Sequence, residues 1–275
     1  MKRKRLRTAA VLSFFLGLTV TAASLAGLLV KGLYRDSATL VPQMRGNDLA
    51  NLVLAVPLLV VSIAWSLRGS RRATLVWAGA LAHLLYTYAS VVAGCRPNQV
   101  FLLYIASFSL ALFAFIALMG SMKPKGLRRR FAPATPVRTI SVIIAVGVLV
   151  FLYYGLSENI RVIIDGRLPE SIEERGLSSS MVHMLDLSVV LPTGALAALW
   201  LWRRKAWGYL LAAIFLVMGA ISGCAILAAD PLAATMGLPA LPGQSPVFGI
   251  WAFLSALGVA LLLGHLGSPK GKSEA

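Results

Sequence analysis

A chain of 275 residues that is 58% hydrophobic and only 13% charged is too apolar for a water-soluble domain, in which about a quarter of the residues carry charge. Its formal charge of +16 invites a polyanion partner, but the sorting of that charge along the chain, set out below, accounts for it without nucleic acid. The apolar residues fall in runs long enough to cross ~30 Å of hydrocarbon and show no strand alternation, so the expected fold is all-α, a polytopic membrane bundle of about eight transmembrane helices.

The basic leader Met1 to Arg7 precedes a first apolar run from about Thr8 to Val30. Ala23-Ser24-Leu25-Ala26 looks like a signal cleavage site, yet the run exceeds the about 7–15 residues of a signal core, so a retained first helix is expected. Lys31 to Asn47 reads as a loop, with Pro42 and the turn-like Arg45-Gly46-Asn47. Helix two is expected over Asp48 to Leu67, followed by the short basic turn Arg68 to Arg72. Helix three (Ala73 to Ala93) ends at Gly94-Cys95-Arg96-Pro97-Asn98, and helix four runs from Gln99 to Met119.

A proline-bearing basic segment, Lys123 to Arg138, follows and contains Arg128-Arg129-Arg130. Helix five is expected over Thr139 to Leu156. Ser157 to Ser180 is then the longest loop, in which Leu168 to Glu174 has the proline and acids of a short helix start. Helix six (Met181 to Trp202), the turn Arg203-Arg204-Lys205 and helix seven (Ala206 to Ala228) repeat the plan of helices two and three. A loop from Ala229 to Pro246 leads to helix eight, Val247 to Leu266.

Eight spans starting from an internal N-terminus place 19 of the 26 basic residues on the inner side, and of the ten acidic residues only Glu274. This is the positive-inside pattern, with both termini cytoplasmic. The implied partners are the lipid bilayer and, through the basic face, anionic inner-leaflet lipid; no nucleic acid is implied. Trp65, Trp77, Trp200, Trp202, Trp207 and Tyr209 fall at the inner interface, and Tyr34, Tyr153, Tyr154 and Trp251 at the outer one, where they read as interfacial anchors.

Helix six carries His183-x2-Asp186-x5-Pro192-x7-Trp200-x2-Arg203, and helix two carries Asp48-x2-Asn51-x5-Pro57-x7-Trp65-x2-Arg68 without a gap. The shared ruler points to an internal repeat. It divides the chain into a first four-helix half (1–122), a basic cytoplasmic linker (123–138), a second half (139–267) and a cytoplasmic tail (268–275). Both halves start inside, so the repeat is parallel.

Polar side chains at membrane depth are costly and mark candidate sites. Asp48 at the start of helix two would cap its free N–H groups or meet a ligand, whereas Asn51, one turn deeper, is beyond capping. His83 meets Tyr86 and Thr87 at i+3 and i+4 on helix three, and Tyr104 lies three residues from Ser107 on helix four. Asp48, Asn51, His83, Tyr86 and Tyr104 are therefore expected to line an outward-facing pocket for a small molecule or ion, with His183 and Asp186 as a second polar pair. Asp186 lies about 17 residues, or ~26 Å, from Arg203, below the outer surface, so its carboxylate must be paired, wetted or protonated. Ordinary interhelical hydrogen bonding is the structural alternative.

Pro57 and Pro192 each remove a helix hydrogen bond near mid-depth and predict paired kinks. Cys95 and Cys224 lie near the outer ends of equivalent helices, where a disulfide is open. No zinc spacing, phosphate loop, nucleophile elbow or haem motif is present, and no metal or cofactor is expected.

Arg45-Gly46-Asn47-Asp48, Leu85-Tyr86-Thr87-Tyr88-Ala89, Phe101-Leu102-Leu103-Tyr104, Asp186-Leu187 with Pro192, and Trp207-Gly208-Tyr209 resemble motifs of an uncharacterised family of bacterial multi-pass integral membrane proteins. The resemblance spans helices two to seven and departs at Asn47, where the family has glutamine. It implies a protein of the prokaryotic inner membrane with no assigned catalytic residues. The reading that follows is a small-solute or ion transporter or membrane ligand-binding protein. The alternatives are a membrane enzyme acting on lipid or quinone through His83 or Asp48, and a non-catalytic assembly or sensor protein that uses the 157–180 loop.

Overall fold

The computed structural model describes residues 3–37, 40–166, 181–237 and 244–267, and among these it contains helices and no strand, only an isolated bridge between Phe131 and Leu266. Among the described residues, eight helices are long and apolar enough to cross a membrane. They are α1 (Arg3–Leu29), α2 (Leu40–Leu67), α3 (Arg71–Gly94), α4 (Phe101–Met119), α5 (Val137–Asp165), α6 (Met181–Trp202), α7 (Ala206–Thr235) and α8 (Gln244–Gly264). A short helix, Pro124–Arg128, sits in the basic segment before α5. Large apolar side chains stand on the outside of the bundle along these helices, among them Phe14, Val60, Leu102, Phe113, Leu149 and Phe253. Water would not tolerate such a surface, whereas lipid requires it. The chain is an integral membrane protein.

Several expected boundaries shift. Helix α2 begins at Leu40 rather than Asp48, so Pro42 and Arg45-Gly46-Asn47 are helical and Asp48 is an interior residue that caps nothing. Pro42 is compatible with this because the first turn of a helix has no intrahelical acceptor for its missing N–H. Helix α5 continues past Leu156 to Asp165, and α7 passes through Pro231 to Thr235. The short helix expected at Leu168 to Glu174 and the tail 268–275 lie outside the described residues.

Helices α3 and α7 form the centre. Over half of their apolar stretches is buried (56% and 61%), against 28–33% in the other six. Helix α3 packs on α2 and α4, α7 packs on α6 and α8, and the two cross each other. Each also reaches the other's neighbour, α7 touching α2 and α3 touching α6, while α1 closes against α2 and α4, and α5 against α6 and α8.

Small residues permit the closest approaches, as membrane helices require when van der Waals contact rather than water expulsion holds them together. A side chain at Gly79 would run into Val217 on α7, and one at Gly46 would come 2.5 Å from the Ala225 carbonyl oxygen. Gly219 and Gly223, one G-x-x-x-G step on α7, face Trp251 and Ala252 of α8.

The basic turns gather at one end. Arg5 donates to the Gly120 carbonyl at 3.1 Å, and Arg72 donates to the Leu266 carbonyl through Nε and Nη2 at 3.1 and 2.8 Å. At the opposite end the Arg96 backbone N–H donates to Asp36 at 2.9 Å.

Three aromatic residues expected at the interfaces are instead buried in the bundle. Trp77 donates to Ser13 at 3.0 Å, Tyr209 stacks on Phe131 with ring centres 4.5 Å apart, and Trp251 wedges between Gly147 and Gly219. Trp65, Trp202, Trp207, Tyr153 and Tyr154 are exposed, as anchors would be.

Gly79→Val should overpack the α3–α7 crossing. Thermal unfolding in detergent is expected to show a loss of about 1–3 kcal/mol, because the facing contact includes backbone that cannot move aside.

Candidate functional site

Two π-helical turns interrupt α2 and α6, at Asn51–Ala55 and at Asp186–Val190. Each ends just before a proline-led segment, with Pro57 and Pro192 in its first turn. The cause is local. A proline ring lacks an N–H and crowds the carbonyl four residues earlier, and widening the preceding turn by one residue relieves the clash. The widened turn also points its first side chain, Asn51 or Asp186, toward α3.

Helix α3 answers both. Fully buried His83 lies with Nε2 3.2 Å from Asn51 Oδ1 and Nδ1 2.9 Å from Ser222 Oγ on α7. Three residues on, the Tyr86 phenol lies beside the half-buried Asp186 carboxylate. One face of α3 therefore holds α2, α6 and α7 by polar contacts. His183 sits half-buried on the turn before Asp186.

A second cluster lies in the layer between α1 and α2. Buried Asp48 accepts a 2.5 Å hydrogen bond from the hydroxyl of Tyr34, in the segment between those helices. Gly27 on α1 makes room, since a Cβ there would fall on the Asp48 carboxylate and the Tyr34 hydroxyl. Arg45 supplies the opposite charge one turn away. Ser24 and Tyr88 lie beside the carboxylate, and neither buried hydroxyl meets hydrogen-bond geometry. Tyr104 adjoins this group and accepts from Asn98 Nδ2 at 3.3 Å, while Ser107 donates to Thr19 on α1 at 2.9 Å. Burial, reinforced by the Asp48 charge, pushes the Tyr34 phenol far above its ordinary 10.0, so it stays a donor.

The candidate residues thus divide among packed contacts: Asn51 with His83, Tyr86 with Asp186, and Asp48 near Tyr104, while His183 stands on α6 one turn before Asp186. Two depressions of the surface lie elsewhere, at the first turns of α1 and α5. Both ring nitrogens of His83 are engaged, by Ser222 and Asn51, and neither meets Asp48. Among the described residues no group of three or more His, Cys, Asp or Glu side chains could hold a metal ion.

Sequence reasoning missed Tyr34, Ser24, Tyr88 and Ser222. Tyr34 was expected at the interface, and its role depends on the length of a loop that the α2 boundary had misplaced. Ser222 was legible in principle, since it stands 135 positions after Thr87, the spacing that also separates Pro57 from Pro192.

Cys95 and Cys224 are both free thiols. Cys95 follows the last turn of α3, where burial and then the Asp36 carboxylate push its thiol from 9.0 up to about 12.

Comparison with known protein families, curated proteins and solved structures finds no match to this chain. The likeness to bacterial multi-pass proteins therefore rests on its short motifs alone. What the fold defines is the class, a multi-pass helical membrane protein with buried polar contacts at its centre.

Tyr34→Phe should leave the buried Asp48 carboxyl without its donor. Thermal unfolding is expected to register about 1–3 kcal/mol of destabilisation. Cys95 should react slowly with an uncharged maleimide at neutral pH. Its rate should climb about tenfold per pH unit through pH 10 instead of levelling near 9, because only the thiolate reacts.

Proposed function

We propose that this protein is a carrier for protons or a small cationic solute, built as two parallel four-helix halves, 1–122 and 139–267, with the basic ends and both termini in the cytoplasm of a prokaryotic cell. The observation that carries this reading is the pair of π turns 135 positions apart, both tied to one face of α3. In this reading α2 and α6 are counterparts, and so are α3 and α7; α2 packs extensively on α7, whereas α6 touches α3 only through its first turns. In that register the counterpart of His83 is Met218, an apolar residue. A repeat whose polar contacts come chiefly from one half has one pathway rather than two.

A π turn is a movable defect, since shifting it by a residue changes which side chains its helix presents. A shift in α2 would release Asn51 from His83, and one in α6 would release Asp186 from Tyr86, so α3 can be engaged on one side at a time. The groups along this seam are carboxylate, amide, phenol and hydroxyl oxygens with one imidazole, a donor set suited to protons and cations rather than anions. Arg45 offsets Asp48 but leaves Asp186 to the passing charge.

The test is ion flux in proteoliposomes carrying an internal pH dye under an imposed potassium diffusion potential. The wild type should acidify or alkalinise the lumen faster than protein-free vesicles, or do so when sodium is supplied. Asp186→Asn should remove the pH dependence of that flux, and Asn51→Ala should slow it at least about tenfold, the loss expected when a charge-binding contact disappears. Vesicles no more permeable to protons, sodium and potassium than empty ones would overturn the carrier reading. An unchanged pH profile in Asp186→Asn would remove that residue from it.

A further inference from the structure

At the basic end of the bundle, α2 and α6 stop in the same way. In α2 the Gly69 N–H donates to the Ser66 carbonyl at 2.9 Å and the Ser70 N–H to the Trp65 carbonyl at 3.0 Å. In α6 the Arg204 N–H donates to Leu201 and the Lys205 N–H to Trp200, both at 2.8 Å. This closure needs a left-handed residue just past the helix end, a conformation glycine adopts freely and side chains resist. Gly69 supplies it in α2 with φ 97°. In α6 the residue is Arg204, with φ 51°, the one non-glycine residue of positive φ among those described.

The strained arginine lines a groove of about 330 Å³ together with Thr135, Pro136, Val137, Arg138 and Trp202. Across it, the Arg138 guanidinium lies over the Trp202 ring, 5.7 Å from its centre. The groove opens at the first turn of α5, where helix N–H groups lack intrahelical acceptors. Two arginines, a helix start and an exposed tryptophan meet at this groove, the chemistry that holds a phosphate. The corresponding turn of α2 has Leu67 and Gly69 where α6 has Trp202 and Arg204, and so lacks both the ring and the charge.

We propose that this groove is a binding site for the phosphodiester headgroup of an acidic phospholipid in the adjoining leaflet. Arg204 accepts a backbone conformation better suited to glycine because its guanidinium is needed in the groove. Trp202, half-exposed at 49%, sits where acyl chain gives way to headgroup, and the Arg138 stack on its ring orients the second cation. A lipid rather than free phosphate fits because the groove lies at the membrane edge beside an exposed aromatic ring. The site does not depend on the carrier reading, and absence of ion flux would leave it standing.

The experiment is thermal unfolding of the full chain, purified in neutral detergent, titrated with dioleoylphosphatidylglycerol. The wild type should gain stability with a defined midpoint, and dioleoylphosphatidylcholine should give none. Arg204→Gly should raise Tm without lipid, because the strain is relieved, yet shift the phosphatidylglycerol midpoint up at least about tenfold, as loss of a charge-assisted contact does. Arg138→Gln should shift the midpoint similarly, and Arg3→Gln, at the other depression, should not. Arg204→Gly with an unchanged midpoint would overturn the site, as would a Tm lowered without lipid. Equal shifts from phosphatidylcholine, from millimolar inorganic phosphate, or equal losses in Arg3→Gln would each refute a headgroup-specific groove.

Discussion

Polar groups carried into hydrocarbon have no water to fall back on, and the interior of this bundle is arranged around that constraint. Helix α3 bears it most directly. It lies against α2, α4, α6 and α7, with Gly79 allowing contact with α7 at backbone distance, and it presents His83 and Tyr86 where those partners meet. The imidazole uses both nitrogens, one toward each side, and the phenol lies beside Asp186. Each such bond averages only about 0.6 kcal/mol in a membrane, so their importance lies less in stability than in registering three helices against one.

The two prolines act through the same constraint. Each would leave a carbonyl unpaired inside the membrane, and the π turn before it redistributes the hydrogen bonds over one extra residue. In doing so it turns Asn51 and Asp186 inward. A pair of residues that looks like a helix breaker thus becomes the device that aims the polar side chains, and the proposed carrier would work by shifting it.

The ends of the bundle obey different rules. There water and headgroups are within reach, so arginines can remain exposed. Arg204 stands apart from that background. A charge run needs no particular backbone conformation, whereas this residue occupies one that its counterpart Gly69 fills without strain. The contrast between two otherwise matching turns separates a specific arginine from a merely basic one.

The membrane class, the eight spans, the basic end and the five-residue ruler shared by helices two and six were legible from the residues alone, because hydrophobic length, charge sorting and proline position act locally. Which polar residues meet was not. Asp48 reads as a cap when its helix is thought to begin there; it is an interior group because α2 starts at Leu40 and Tyr34 folds back onto it past Gly27. Trp77 and Trp251 read as anchors from their depth, yet face inward because of the rotation of their helices about their own axes. Hydropathy records how deep a residue lies but not which way it points when nearly every position is apolar. Only the packing of small residues against neighbouring helices decides that.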